Sequence, residues 1–515
     1  MRNLLFVFAV LLSLNATAQF GTLDADFDAN GILTLMEPGG GFSGAFDVVV
    51  QPDQKILVAG YLESTTHNVM VIYRLHPDGS FDNSFGTAGM TEIDVNGLPA
   101  ECQSIGLLPD GKIVLAGSTS SPTYGMAFSR LNSNGTLDNT FGVNGVAHIS
   151  VDPTRPNIVS DMLIQEDGKI LSVGVLTDWS EYSVLLARVN TDGTLDNTFS
   201  FDGVVTTAVN DEAIGTGVVQ GADGRITVSG YTKVAGNEFN SFLVRYNSDG
   251  TLDNTFGDNG KLVTNFTSEQ DAFLELVMSS GGHVYACGQI DNGPVTNMLV
   301  AKFNPDGSLD NTFSFDGKVE TSINGDADRS ADLLIQPDGK ILVVGSSDNG
   351  VNRDFAMVRY NHDGTLDNTF GSGGMVVTPT VGDAQFRVVT LQADLKILAA
   401  GSVADLISHM TLARYASGMN VGIGEVDAYI GSTLVYPNPI TNNSITVEYE
   451  LKTDESVSIE LYDLAGKQIS TLQALTKEKV GSYQKTLSLP TLSAGNYLLK
   501  LNTAKGAVSV RLTVN

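Results

Sequence analysis

The loop that holds the only tryptophan of the chain combines residue types that could bind or cut a sugar. Asp178 and Glu181 are carboxylic acids, and Trp179 and Tyr182 are aromatic side chains on which a sugar ring can stack. A pair of carboxyl groups flanking the scissile bond is also the catalytic arrangement of most glycoside hydrolases. These four residues are candidate ligand-binding residues. The alternative interpretation is a solvated acidic loop with partly buried aromatic rings.

A second candidate is the segment NSDGTLD, in which Asn247, Asp249 and Asp253 present oxygen atoms at spacings of two and four residues. A calcium loop of the EF-hand type would need acidic residues where Arg245 and Phe256 stand. In the alternative interpretation, Asp249 forms a turn and Asp253 caps a short helical turn through its side-chain oxygen. We therefore expect no cofactor and no metal site, with calcium as the alternative.

Catalytic motifs are absent from the sequence. It contains no GxSxG elbow, Walker loop or HExxH motif, and its six histidines are scattered over predicted turns, strands and loops. No catalytic and no cofactor-binding residue is predicted.

One basic residue recurs in the same predicted strand of every repeat. In FAMVRYN, Arg359 alternates with Phe355 and Met357 and so falls on their packed face. A buried charge needs a partner, and the aspartate of the LDNTF-type segment that follows is available. The sequence predicts seven pairs that hold this segment to its blade. They join Arg74, Arg130, Arg188, Arg245, Lys302, Arg359 and Arg414 to Asp82, Asp138, Asp196, Asp253, Asp310, Asp367 and Asp24, respectively.

These residues belong to seven copies of one unit. The segment NHDGTLDNTFG, from Asn361, recurs with small changes, and a second marker of the form DGKILVAG ends at a glycine in each copy. Spacings of 56 to 58 residues separate these glycines, which is the signature of a repeat architecture. They are Gly60, Gly117, Gly174, Gly230, Gly288, Gly345 and Gly401.

Each copy reads as a four-stranded antiparallel sheet. The copy around Gly345 contains an MVVTP-type run, SADLLIQ, KILVVGS and FAMVRYN, and Asp338-Gly339 supplies a tight hairpin between the second and third runs. A four-stranded unit of this length is typical of a propeller blade. We predict an all-β protein with a seven-bladed β-propeller of four-stranded blades.

The ends of the array indicate that the ring closes. The last copy stops inside its turn at 414–418, before an LDNTFG-type segment, and the missing half stands at 21–27. Leu23, Asp24 and Phe27 have the spacing of their counterparts in the complete copies. A segment that completes the last unit removes exposed edges, as ring closure requires.

The two faces of this ring differ in sequence. The hairpins between the second and third runs share one face with the NHDGTLDNTFG-type segments, and both are nearly identical among copies. Connections on the other face all differ. Because recognition usually resides in loops on a rigid scaffold, we expect any ligand there.

Composition and the chain's first residues indicate an exported protein. Residues 1–18 have the charged start, apolar run and small-residue cleavage site of a signal peptide. No later run approaches the roughly twenty apolar residues of a transmembrane helix. The formal charge of −29 disfavours a nucleic-acid partner. The two cysteines, Cys102 and Cys287, fall in different strands of copies far apart and read as small buried residues.

The array, through DGKILVAG and RYNxDGTLDxTFG, resembles the delta-60 repeat family of secreted bacterial β-propellers from about Gly21 to Gly418. That resemblance implies the fold and no defined reaction. The linker 418–433 then precedes a tail with alternating apolar runs, which predict a small C-terminal β-sandwich.

The tail is similar to the type A C-terminal sorting domain of type IX secretion, through YPNP at 436–439, LYDLAGKQI at 461–469, LSAGNYLLKL at 492–501 and the final VRLTV. This similarity implies export across the outer membrane by the type IX machinery and removal of the tail by a sortase. An accessory sandwich that binds a partner is the alternative. The expected domains are a signal peptide (1–18), a propeller (19–417), the linker (418–433) and the sorting domain (434–515).

These observations predict a secreted or cell-surface propeller that binds a glycan or protein ligand. The alternative is an extracellular carbohydrate-active enzyme with its site in the axial mouth, on the face with the variable loops. Two acidic side chains converging there within about 5 to 10 Å beside aromatic rings would favour the enzyme.

Overall fold

A computed structural model describes residues 20–35, 41–64, 66–178, 180–234, 238–267, 269–418, 430–436, 440, 444–451, 454–463, 467–493, 495–503 and 506–514. Every regular element in these ranges is a β-strand, as the predicted all-β class requires. Over the same ranges there is no helix long and apolar enough to cross a membrane. The predicted signal peptide, 1–18, lies outside the described residues.

Before residue 418, the strands repeat one order: an inner strand, two middle strands and a short outer strand. They are β1 (Ile32–Leu35), β2 (Ser43–Val50), β3 (Ile56–Glu63), β4 (Asn68–Leu75), β5 (Met90–Ile93), β6 (Ala100–Leu107), β7 (Ile113–Thr119), β8 (Gly125–Leu131), β9 (Val146–Ile149), β10 (Asn157–Ile164), β11 (Ile170–Thr177), β12 (Tyr182–Val189), β13 (Val204–Thr207), β14 (Glu212–Gln220), β15 (Ile226–Val234), β16 (Glu238–Tyr246), β17 (Lys261–Val263), β18 (Asp271–Met278), β19 (Val284–Asn292), β20 (Val295–Phe303), β21 (Lys318–Thr321), β22 (Asp328–Ile335), β23 (Ile341–Asp348), β24 (Arg353–Tyr360), β25 (Met375–Thr378), β26 (Asp383–Leu391), β27 (Ile397–Ala404) and β28 (Ser408–Tyr415).

These strands form antiparallel sheets in chain order. Four-stranded sheets run β2-β3-β4-β5, β6-β7-β8-β9, β18-β19-β20-β21 and β22-β23-β24-β25. An eight-stranded sheet consists of two such sets, β10 to β13 and β14 to β17, joined through the pair Tyr182 and Glu212. The remaining sheet has the order β26-β27-β28-β1, so its outer strand comes from the beginning of the chain.

The outer strand belongs to the sheet that precedes it in the chain. The sequence pattern groups the MVVTP-type run with the SADLLIQ run that follows it, and this grouping was wrong. β25 pairs with β24, with Thr378 opposite Phe355, and β21 likewise pairs with β20. The short outer strand forms hydrogen bonds with the open edge of the second middle strand. The crossing to the next sheet comes after it, on the face with the variable loops.

The segment 20–35 completes the last sheet. Ile32 lies opposite Ala413, and Leu23 bridges to Tyr415. Leu33 and Leu35 are buried in one apolar cluster with residues of β2, β3, β4, β27 and β28. The first stretch of the chain therefore joins the last sheet to the first through both hydrogen bonds and apolar packing.

Apolar clusters lie between successive sheets. One of them combines Leu57 and Ile72 of the β2–β5 sheet with Ile105 and Leu115 of the β6–β9 sheet. Each inner strand contacts the inner strand of the next sheet, and β26 contacts β2. The inner strands thus surround a central channel. Both cysteines are buried and unpaired, as the repeat positions predict.

The tail contains two further sheets, β29-β30-β33 and β32-β31-β34-β35. Both contribute to one buried apolar cluster, which includes Val447 of β30 and Ile459 of β31. β29 begins within the predicted linker 418–433, of which residues 419–429 lie outside the described residues. The strands are β29 (Ile430–Tyr436), β30 (Ser444–Leu451), β31 (Glu455–Asp463), β32 (Gln468–Glu478), β33 (Gly481–Ser488), β34 (Gly495–Thr503) and β35 (Gly506–Val514).

Candidate functional site

The structure brings together the basic residue and the aspartate of all seven predicted pairs. Arg359 Nε lies 2.8 Å from Asp367 Oδ2, and the two residues are 1% and 4% exposed. The other distances are 2.8 Å for Arg74 and Asp82, 2.7 Å for Arg130 and Asp138, 2.6 Å for Arg188 and Asp196, 2.7 Å for Arg245 and Asp253, 2.7 Å for Lys302 and Asp310, and 2.7 Å for Arg414 and Asp24.

Each of these aspartates also meets a second basic side chain, which the sequence analysis missed. Lys340 Nζ, from the hairpin between β22 and β23, lies 3.1 Å from Asp367 Oδ2. The lysine of the DGK marker could have revealed this contact in the sequence, because the hairpin that carries it shares a face with the aspartate segment. The equivalents are Lys55 at 3.1 Å, Lys112 at 2.9 Å, Lys169 at 3.0 Å, Arg225 at 3.0 Å, His283 at 3.9 Å and Lys396 at 2.8 Å.

In the six clusters whose strand residue is an arginine, that arginine also contacts the neighbouring sheet. The Arg359 guanidinium lies 4.3 Å from the centroid of the Phe370 ring and donates through Nη1 to the carbonyl of Ser417. Burial opposes ionisation of Asp367, but hydrogen bonds from Thr369 and Lys340 and the charge of Arg359 outweigh it and lower the pKa of that carboxyl to about 2. We call each such cluster a brace: the basic residue of the strand, the basic residue of the hairpin and the aspartate.

Both aspartates of the NSDGTLD segment accept hydrogen bonds from the protein itself. Asp249 Oδ1 accepts hydrogen bonds from Thr251 N at 3.0 Å and Thr251 Oγ1 at 2.6 Å. Asp253 Oδ1 similarly accepts from Thr255, while its Oδ2 faces Arg245 and Arg225. Among the described residues, no group of three or more histidine, cysteine, aspartate or glutamate side chains is arranged to hold a metal ion.

The candidate loop 178–182 forms a small self-contained turn. Asp178 Oδ1 accepts from Ser180 N at 2.9 Å, Ser180 Oγ at 2.6 Å and Glu181 N at 2.8 Å. These hydrogen bonds lower the pKa of Asp178 to about 2. Glu181 is exposed and Tyr182 is half-buried, whereas Trp179 lies outside the described residues. Asp178 is thus occupied in shaping the turn.

Carboxyl groups line the central channel, where the sequence analysis placed none. Each inner strand has a β-bulge in the middle, and Asp47, Asp161, Glu275 and Asp332 directly follow the bulged residue. In the sequence these positions are marked by an acidic residue inside an otherwise apolar run, as in SADLLI. The glycine opposite the bulge is required sterically, because a Cβ on Gly345 would meet the Arg329 carbonyl oxygen at 1.9 Å.

Three of these carboxylates connect neighbouring inner strands. Asp332 accepts from Leu333 N at 2.6 Å through one oxygen and from Val389 N at 2.7 Å through the other. Asp47 reaches Ile105 N at 2.7 Å, and Asp161 reaches Val218 N at 3.0 Å. Ser104 Oγ lies within hydrogen-bond distance of both Asp47 and Asp161, at 3.2 and 3.1 Å. Two carboxyls therefore converge on the Ser104 hydroxyl, but backbone N–H groups engage both oxygens of each.

Burial raises the pKa of these channel acids. The pKa of Asp47 is raised to about 7, that of Asp161 to about 6 and that of Asp332 to about 7, with mutual repulsion adding to burial for Asp47 and Asp332. Burial and the neighbouring acids also raise the pKa of Glu275 well above its usual range. The channel therefore changes its charge between pH 5 and 8.

Raising the pH from 5 to 8 is expected to lower the melting temperature. A carboxyl whose pKa is higher in the folded than in the unfolded chain stabilises the fold fully at pH values below its unfolded pKa, about 4. This stabilisation is lost as the pH rises through the folded pKa. Each proton held only by the folded chain changes the free energy of unfolding by about 1.4 kcal/mol per pH unit. Below pH 4 the trend reverses, because the brace aspartates, with lowered pKa values, become protonated. Calorimetric scans from pH 2 to 8 measure both limbs.

Asp332→Asn separates this effect from relief of general charge repulsion. The variant removes one titrating group, so its melting temperature should change less steeply between pH 5 and 7, whatever its absolute value. An unchanged slope would show that Asp332 does not titrate in this range.

Arg387 lines the same cavity as these acids. Arg387 is the bulged residue of β26, and its guanidinium lies 4.6 Å from the centroid of the Phe46 ring. Phe46 in turn lies 5.9 Å, centroid to centroid, from Tyr61 at the end of β3 that leads to a variable loop. Arg387 and Phe46 line a cavity of about 540 Å³.

Comparison with known proteins identifies two families. The repeats match the family described as "Domain of unknown function (DUF5122) beta-propeller" at residues 51–85, 108–141, 165–199, 221–256, 282–313 and 336–370. Each range begins near a hairpin and ends at or next to the phenylalanine of a brace segment. Residues 434–515 match the "Secretion system C-terminal sorting domain". A search of curated proteins found no match.

Several solved structures are similar at low identity. Sqt1 from Chaetomium thermophilum is 11% identical with a TM-score of 0.38, over 74% of this chain and 98% of that one. A glucose dehydrogenase is 10% identical with a TM-score of 0.34, over 60% and 95%. Polysaccharide lyase Uly1 is 9% identical with a TM-score of 0.33, over 75% and 90%. Likenesses this distant carry no argument about function. Both family resemblances in the sequence are confirmed: this chain carries DUF5122 β-propeller repeats, of the delta-60 type, and ends in a type IX secretion system C-terminal sorting domain.

Proposed function

We propose that this is a secreted or cell-surface binding protein, a closed seven-bladed propeller delivered by its tail. The sorting-domain match at 434–515, behind the repeat array, is the observation that carries the proposal. In the proposed organisation, residues 1–18 are a cleaved signal peptide, 19–417 the propeller, 418–433 the linker and 434–515 a β-sandwich. The type IX machinery and a sortase are its partners during export.

The contacts across the closure support a ring of seven. Arg414 of the last sheet donates to the carbonyl of Pro77 in the first sheet. Every earlier brace that contains an arginine makes the same kind of hydrogen bond to the sheet that follows it. The remaining brace contains Lys302 instead. The inner strand β26 contacts β2 in the manner of every other neighbouring pair. The last interface thus repeats the contacts of the others.

The arrangement of polar groups favours binding over catalysis. Carboxyls that exchange protons with a substrate need free oxygens, whereas Asp47 and Asp161 accept backbone N–H groups through both. The braces occupy one face in every copy, so the variable loops and the channel mouth beside them remain for a ligand.

Deleting 432–515 tests the delivery step. Without the sorting domain, the repeat array should accumulate in the periplasm, because the signal peptide still carries it across the inner membrane. Immunoblots of periplasmic and extracellular fractions measure the distribution. Asp363→Asn, an exposed change in the repeats, serves as the control and should be exported normally. Extracellular array without the tail would refute the proposed route.

A further inference from the structure

The strongest unassigned feature is the guanidinium of Arg387 at the channel mouth. It forms no hydrogen bond or ion pair with any described residue, although its side chain stands in a cavity of about 540 Å³. The guanidinium carbon lies 4.6 Å from the centroid of the Phe46 ring. Because no hydrogen bond or ion pair to a described residue uses them, the N–H groups of Arg387 are available to a ligand.

Ring closure does not require a cation at this position. The bulged residues of three other inner strands are Phe46, Gln103 and Leu274, all uncharged. The fold therefore tolerates several side-chain types here. Arg387 itself is exposed, so its charge is accessible to a solute that enters the cavity.

The surroundings of Arg387 define the ligand chemistry. Partial desolvation and the charge of Arg353 lower the pKa of Arg387, and the nearby Tyr61 and Glu101 oppose that shift. Glu101 Oε1 accepts from Asn68 at 3.0 Å and forms no ion pair with the guanidinium. Gln103 and Gln385 line the same cavity and supply amide groups able to bond hydroxyls.

We propose that the axial mouth binds a carboxylate-bearing sugar, with Arg387 pairing the carboxylate and the amides of Gln103 and Gln385 bonding ring hydroxyls. A planar guanidinium pairs with a carboxylate through two parallel hydrogen bonds. The tilted Phe46 and Tyr61 rings offer apolar surface beside it for the sugar ring. This inference rests on the proposed binding function and names its ligand class.

Calorimetric titration of the full mature protein with glucuronate, glucose and acetate tests the inference. Glucuronate should bind at one site, glucose at least tenfold more weakly, and acetate more weakly than glucuronate because it lacks the ring. Acetate binding as well as glucuronate would show an anion site without sugar recognition. Equal binding of glucose would show that the carboxylate is not recognised. Either result overturns the proposal, as does absence of glucuronate binding.

Matched variants locate the site. Arg387→Gln introduces the residue type that copy two holds at its bulge, so it should keep the melting temperature and weaken glucuronate binding at least tenfold. Arg353→Gln, at a half-buried position with Nε 3.7 Å from Asp383, removes a nearby charge but not the proposed contact, so it should weaken binding less than Arg387→Gln does. Unchanged affinity in Arg387→Gln overturns the assignment. If the protein bound a different ligand through its variable loops, the proposed binding function would be supported and the Arg387 site would be overturned. The export test depends on neither result.

Discussion

Asp367→Asn is expected to destabilise the protein by about 3 to 5 kcal/mol, the cost of breaking a buried ion pair by removing one partner. The substitution preserves the shape of the side chain and removes its charge. Arg359, which is 1% exposed, would then keep its position over Phe370 without a counter-ion. Thermal unfolding and urea titration measure the loss. Because successive sheets pack against one another, we expect the whole repeat array to unfold in one transition at a lower temperature and a lower urea concentration.

Asp363→Asn is the matched control. Asp363 Oδ1 caps Thr365 N at 3.0 Å on the exposed side of the same segment, and Asn134 makes the equivalent contact at 3.1 Å in copy two. The chain itself therefore shows that asparagine fits there. Asp310→Asn should have an intermediate effect, because the side chain of its partner Lys302 is 13% exposed and that of Arg359 only 2%. If the Asp367→Asn and Asp363→Asn variants had the same melting temperature, the braces would contribute nothing to stability.

Removing residues 20–35 should destabilise the array even more. Phe27, Leu33 and Leu35 are each at most 7% exposed, and losing buried side chains of this kind costs about 1.5 to 3 kcal/mol apiece. Arg414 and Lys396 would also lose Asp24. The unpaired edge of β28 would in addition become a template for aggregation. Scattering and thermal unfolding of the shortened and parent chains measure both consequences.

A peptide of residues 20–35 added in trans provides the control, since it can restore the missing strand. The peptide should raise the melting temperature of the shortened chain, and the same peptide with Asp24→Asn should do so less. A shortened chain that remained monomeric and melted with the parent would show that the closing segment is dispensable.

Most of the repeat architecture could be predicted because it depends on local spacing. The brace pair joins residues eight positions apart, Arg359 to Asp367, across one strand and one turn, so alternation along the strand was enough to find it. The hairpin lysine was missed because its approach depends on which connections share a face. The grouping of the outer strand was wrong because a short apolar run carries no information about which open edge it extends.

The candidate site follows the same division between local and distant contacts. Sequence reasoning selected the loop 178–182 for its residue types, and the structure shows Asp178 capping its own turn. It did not select Phe46 and Arg387, which stand in inner strands of the first and last sheets and meet only where these sheets pack together. No pattern within one copy marks such a contact.

The sequence by itself determined the repeat, its strands, the closing segment and the export tail, because each depends on periodicity or on contiguous motifs. Only the tertiary structure decided which strand lines the channel, which carboxyls face one another there and which arginine stands at its mouth. Those properties arise from packing between sheets. Burial and charge at one position are set by residues 57 or more places away, as in the hydrogen bond from Val389 N to Asp332.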